Sequence, residues 1–232
     1  MACTIQLINP NTCMQMTEKM ALAARQVAAP QSEIIAMSPK QGVISIEGHY
    51  DEAIAAVGVL ELIQQHPDVD GHIIACFGDP ALYAAREVAT APVIGIAEAA
   101  FHMATLVATK FSIVTTLPRT KIIAEHLLQQ YGFSGHCAKI RCIDLPVLDL
   151  EQQPERAYQA LLAQCLEAKQ QDDIGAIVLG CGGMAEMADR VSQALNIPII
   201  DGVRAAVKLI ESLHSLGIQT SKWGDYAYPQ QK

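Results

Sequence analysis

Two stretches of this chain, about 106 residues apart, share their landmarks. TIQLINPNT at 4–12 aligns with SIVTTLPRT at 112–120. GHIIAC, ending at Cys76, aligns with AIVLGC, ending at Cys181. Asn9 to Cys76 is 67 residues and Thr115 to Cys181 is 66; Cys76 to Pro92 is 16 and Cys181 to Pro198 is 17. Each proline opens a short apolar run, and six residues beyond each stands a charged residue, Glu98 or Arg204, followed by Ala-Ala. Such a period is too long for a solenoid repeat. It reads as a duplication that yields two similar lobes.

Within each half, apolar runs alternate with longer amphipathic stretches. The first half predicts strands at 4–8, 32–37, 71–75 and 92–96, with helices at 14–28, 50–65, 79–89 and 98–108. The second predicts strands at 111–115, 138–143, 175–179 and 198–200, with helices at 119–130, 154–169, 185–195 and 203–215. A loop is expected at 144–153 and a polar tail from Gly217. This alternation is the rhythm of a parallel α/β sheet. The expected fold is α/β with two similar lobes, each a short parallel sheet flanked by helices. A pseudo-twofold would relate them, with the active site between. Residues 1–97 and 205–232 would form the first lobe, the last helix returning to it, and 98–204 the second.

Half of the 232 residues are apolar, enough for a sizeable core, and the formal charge of −8 is spread along the helices. With no basic stripe, nucleic acid is not an expected partner. The start, MACTIQLINPNT, is not of the secretory type, and no apolar run approaches a membrane span. Seven cysteines at irregular spacing fit neither a disulfide framework nor a zinc site. Free thiols in the cytoplasm are expected, with no metal. The seven histidines also lack ligand spacing.

The duplication singles out two of those thiols. In an open parallel sheet, ligands bind beyond the carboxyl ends of the strands. Cys76 and Cys181 both stand there, so facing lobes would bring two thiols to a cleft from opposite sides. Inversion at a carbon requires a base on one face and an acid on the other. Asp79 and Pro80 read as the cap and first residue of the helix after Cys76. Gly182 and Gly183 let backbone N–H groups approach a ligand. A nearby helix N-terminus favours thiolate, and the same N–H groups, with that of Gly78, could stabilise a negative oxygen. Cys3, Cys13, Cys137, Cys142 and Cys165 read as ordinary small hydrophobes.

Around the cleft, Asn9 and Asn11 follow the first strand, Thr115 and Thr116 its counterpart, and Glu47 lies in the loop before the second helix. All five are candidates to hydrogen-bond a polar small molecule. Helix capping is an equal alternative for Asn11, and a solvated carboxylate for Glu47. Glu98 and Arg204 could line the site or pair across the pseudo-twofold; equally, they could be a helix-start charge and an exposed arginine.

INPNT at 8–12, SIEGHYDEA at 45–53, ACFGDPAL at 75–82 and PVIGIAEAA at 92–100 carry a resemblance that LGCGGM at 179–184, PIIDGVRAAV at 198–207 and SKWGDYAYP at 221–229 extend. The chain resembles the aspartate/glutamate racemase superfamily, and within it the hydantoin racemase group. The resemblance implies an isomerase without pyridoxal phosphate, metal or other cofactor. Cys76 and Cys181 would be acid and base, the protein a homo-oligomer, and the substrate a 5-monosubstituted hydantoin, or allantoin in a close subgroup. The alternatives are an aspartate/glutamate racemase, an arylmalonate-type decarboxylase with one cysteine, and, outside enzymes, a two-lobed ligand-binding protein.

Overall fold

The computed structural model describes residues 2–230. It contains two four-stranded parallel sheets. In the first, β1 (Cys3–Ile8) lies between β2 (Ser32–Met37) and β3 (Gly71–Ile74), and β4 (Val93–Gly95) borders β3. The second repeats the order: β5 (Phe111–Thr115) lies between β6 (Cys137–Cys142) and β7 (Ala176–Leu179), and β8 (Ile199–Ile200) borders β7. The identical order gives the repeated landmarks a structural counterpart. The strands flanked on both faces are near-continuous apolar runs, as burial on both faces requires: GHII in β3 and AIVL in β7 are buried throughout.

The helices cover both faces of each sheet. α1 (Met14–Val27), α2 (His49–Gln65), α3 (Leu82–Val88) and α4 (Ile96–Val107) follow the strands of the first half. In the second half come α5 (Thr120–Gln130), a one-turn α6 (Asp149–Gln152), α7 (Pro154–Gln171), α8 (Ala188–Leu195) and α9 (Gly202–Ser215). A six-residue 3-10 helix, Gly182–Met187, precedes α8 where the sequence predicts its first turn.

α4 and α9, the pseudo-equivalent helices, join the halves. Val203, Ala206, Val207 and Ile210 of α9 share a core with Ile5, Ile73 and Ile94 of the first sheet. Ala97, Phe101 and Ala104 of α4 share one with Phe111, Ile113 and Val178 of the second, where Phe101 stacks on Phe111 at 5.8 Å between centroids. The two helices meet closely at their starts: a Cβ on Gly202 would lie 2.3 Å from the Ile96 carbonyl oxygen. A side chain there would therefore force the helices apart.

Two expected boundaries differ for one reason. Asp79 and Pro80 do not start a helix; α3 begins only at Leu82, after Asp79 (φ +44°) and Ala81 (φ +63°) adopt left-handed conformations. Asp79 instead caps α4, which begins two residues before its expected start. Its Oδ1 accepts from Ala97 N–H and its Oδ2 from Glu98 N–H, both at 3.0 Å. In the second half, Asp201 caps α9 directly, accepting from Val203 and Arg204 N–H.

Candidate active site

Beyond the carboxyl ends of β1, β3, β5 and β7 lies a cavity between the two halves. Cys76 and Cys181 line it together, each partly exposed and close enough for one thiolate to disfavour the other. Asn9, Asn11, Gly78, Thr115, Thr116, Gly182 and Gly183 line it too. The two catalytic candidates and these seven expected binding residues thus converge. The lobes are tightly opposed: a Cβ on Gly182, after one cysteine, would lie 3.0 Å from the carbonyl oxygen of Ala75, before the other.

Both thiols sit in the same local frame. The Gly78 N–H is placed to favour a thiolate at Cys76, and the Gly183 N–H to favour one at Cys181. Burial nevertheless outweighs this at both positions, pushing Cys181 up to about 11 and Cys76 higher still. This corrects the expectation that the helix starts leave the thiols more acidic than usual. After Cys76 the helix begins too late, at Leu82, and the low-dielectric cavity penalises charge at both sulfurs.

The other expected residues divide by how their polar atoms are used. The Asn9 amide nitrogen donates to Asn11 Oδ1 at 2.8 Å and to Thr17 Oγ1 at 2.9 Å, so it braces the turn into α1. Asn11 Oδ1 also accepts from Cys13 N–H, but its amide nitrogen has only the Met16 sulfur, at 3.5 Å. It remains a donor available to a ligand. Thr115 bonds Thr120 at 2.8 Å and the Gly180 carbonyl at 3.1 Å. Thr116 is buried in the wall.

Glu47 stands outside the cavity wall. Its Oε1 accepts from Val147 N–H at 2.8 Å and fastens the loop before α2 to the opposite lobe. The carboxylate in the wall is Glu52, one turn into α2, which sequence reasoning passed over. Ile46, Met16, Phe77, Ile123 and Val147 complete the apolar lining. No lysine or arginine lines the cavity among the described residues.

Glu98 and Arg204 neither line the cavity nor pair with each other. Glu98 pairs with Arg86, and Arg204 with Asp189 at 2.7 Å. The other five cysteines lie off the cavity, and burial pushes Cys165 and Cys137 up to about 12. Cys3, Asp70 and His214 bring ligand atoms within 4.8 Å of one another at the opposite ends of the strands. There Asp70 already accepts from Thr4 N–H at 2.8 Å and pairs with His214 at 3.3 Å.

A family model described as Asp/Glu/Hydantoin racemase matches residues 5–210. The chain belongs to this family. A hydantoin racemase of Rhizobium meliloti is 47% identical over 230 residues, covering 98% of this chain and 95% of the relative. The solved structure of an allantoin racemase from Klebsiella pneumoniae matches with a TM-score of 0.98 at 61% identity, covering 100% of this chain and 95% of that one. That of an allantoin racemase from Pseudomonas fluorescens matches at 0.95 and 37%, covering 99% and 98%. The protein is accordingly an isomerase, a racemase. No helix among the described residues is long and apolar enough to cross a membrane.

Proposed function

We propose that this racemase inverts C5 of a 5-monosubstituted hydantoin, with allantoin, whose substituent is a short ureido group, as the preferred substrate. The observation that carries the reading is a cavity with two thiols and no cationic side chain in its wall among the described residues. Free aspartate or glutamate, or a malonate, brings carboxylates, and burying them without a cation is costly. A neutral ring carries no such cost. The 61% identical allantoin racemase structure supports allantoin as the choice among such rings.

In this mechanism one cysteine acts as thiolate and removes the C5 proton, becoming a thiol. The electron pair delocalises onto the C4 oxygen, and the Asn11 amide nitrogen and the Thr116 hydroxyl are side-chain donors in the cavity wall. The other cysteine, a thiol, protonates the opposite face and becomes the thiolate. The Gly78 and Gly183 N–H groups stabilise whichever sulfur is ionised, so matching frames suit exchange of roles between the two directions. The division into 1–97 with 205–232 and 98–204 belongs to this reading, supported by α9 packing on the first sheet. A homo-oligomer is also proposed: Leu106 (76% exposed) and Trp223 (91%) present apolar surface that a second copy would cover.

Replacing Cys76 or Cys181 by serine tests the mechanism, read by loss of optical rotation of L- and D-hydantoins and allantoin. Each variant is expected to lose at least about a thousandfold in racemisation. Each should still exchange the C5 proton for solvent deuterium with one enantiomer only, a different one in each variant. Full racemisation by either variant contradicts two-base inversion.

A further inference from the structure

Among the residues that line the cavity, Glu52 carries the one enclosed side-chain atom without a hydrogen-bond partner among the described residues. Its Oε2 is engaged by His49 Nδ1 at 3.1 Å; its Oε1 has nothing. Native proteins leave few buried polar atoms unpaired, and such an atom in a ligand cavity needs an account. Oε1 lies against Gly78, where a Cβ would come within 2.1 Å of it. Gly78 stands two residues after Cys76, and both line the cavity. Carboxylate oxygen, glycine and thiol therefore form one continuous wall.

The chemistry of the other wall atoms narrows what Oε1 awaits. Asn11 supplies a donor and Thr116 a hydroxyl, while the side-chain oxygens of Asn9, Asn11, Thr115 and Thr120 are engaged within the protein, which leaves Glu52 as the charged acceptor. A hydantoin ring presents carbonyl oxygens, which need donors, and N–H groups, which need an acceptor. Of its two N–H groups, N1–H is attached to C5 and N3–H lies across the ring. An acceptor beside the thiol that reaches C5 meets N1–H.

Building on the substrate reading above, we infer that Glu52 Oε1 accepts the N1–H of the ring and thereby fixes C5 beside Cys76. The unpaired oxygen and the glycine that makes room for it are the observations behind this. Burial also pushes the Glu52 carboxyl up against the His49 hydrogen bond, as expected for a carboxylate that lacks its donor.

The experiment pairs Glu52→Gln, which preserves size, with ring methylation. 5-Methylhydantoin and its 1-methyl and 3-methyl derivatives are assayed for racemisation with both enzymes. Glu52→Gln is expected to raise KM about fivefold or more for the unmethylated and 3-methyl rings, with kcat within about threefold, because a neutral amide oxygen replaces the charged acceptor of N1–H. For the 1-methyl ring the substitution should change KM by less than about twofold, since no N1–H remains to lose. Any steric penalty of the methyl group cancels, being present in both enzymes.

An equal rise in KM for all three rings marks a merely structural role and overturns the assignment. So does an unchanged KM, or coupling to N3 instead of N1. Wild-type turnover of the unmethylated ring tests the substrate reading independently. Turnover with uncoupled Glu52→Gln overturns the Glu52 assignment alone; absence of wild-type turnover on any ring overturns both.

Discussion

Asp79→Asn tests which of two opposed effects governs the loop that carries Cys76. The Asp79 carboxylate has three donors: Ala97 N–H, Glu98 N–H and the Tyr131 hydroxyl, all at 3.0 Å. Hydrogen bonds of this kind stabilise the charged form. Burial and the neighbouring Glu98 charge act against it, and burial wins, pushing the carboxyl from 3.8 to about 7. Asparagine keeps the shape and tolerates the left-handed backbone at φ +44°. The variant therefore changes the titration and one acceptor, with little else.

Proton binding sets the direction of the effect. Between the unfolded value near 4 and the folded value near 7, the folded wild type holds a proton that the unfolded chain has released. The contribution is complete below about pH 4 and is lost as pH rises through 7. A tenfold difference in proton affinity corresponds to about 1.4 kcal/mol, so the ceiling over this window is about 4 kcal/mol. Asparagine has no such dependence. The stability advantage of wild type over Asp79→Asn should therefore shrink by up to about 4 kcal/mol between pH 4 and pH 7.5. For a chain of this size that moves the difference in Tm by on the order of 10 °C. Thermal unfolding of both proteins at half-unit pH steps reads it. Asp201, also raised by burial, to about 6, titrates in both proteins and cancels in the difference. A difference that widens as pH rises would mean that the three donors outweigh burial, and burial would no longer be the governing effect.

Two further outcomes follow from the cavity. Because burial raises both thiols, each is protonated at neutral pH, and the thiolate fraction grows about tenfold per pH unit below the folded values. kcat/KM should thus rise from pH 7 to pH 9; a flat or falling profile would count against either thiol being the base. Gly182→Ala should cost about 1–3 kcal/mol in urea unfolding, because its Cβ would meet the Met20 sulfur at 2.6 Å and the Ala75 carbonyl oxygen at 3.0 Å. Unchanged stability would show that the lobes separate there at no cost.

Residues whose surroundings are local were legible in the sequence. β2 and β5 begin and end where the apolar runs do, and the repeated strand-end cysteines predicted one shared cavity. What escaped depended on contacts distant in sequence. Asp79-Pro80 carries a true capping signal, but the helix it caps starts at Ile96, and only packing brings the two together. Glu47 and Glu52 lie five residues apart in one segment. Which carboxylate faces the cavity is decided by the loop before α2, fixed by Val43 against Thr12 and by Glu47 against Val147. No period or propensity encodes that choice.

The capping difference also shows how the duplication diverged. Gly95 and Asp201 are equivalent positions, each three residues after the matching proline. In the second lobe that position is its own helix cap. In the first it is glycine, and a Cβ there would lie 2.2 Å from Cγ of Asp79. The lost local cap is replaced by a carboxylate from the Cys76 loop, which also takes a hydrogen bond from Tyr131 at the end of α5. One side chain thus ties the Cys76 loop to α4 and to the opposite lobe, while Cys181 opens directly into its own helical turn. Two thiols with matching backbone frames are therefore held by different means. A proton donor and acceptor that exchange roles need the same chemistry at sulfur, and the scaffolds behind them are free to differ.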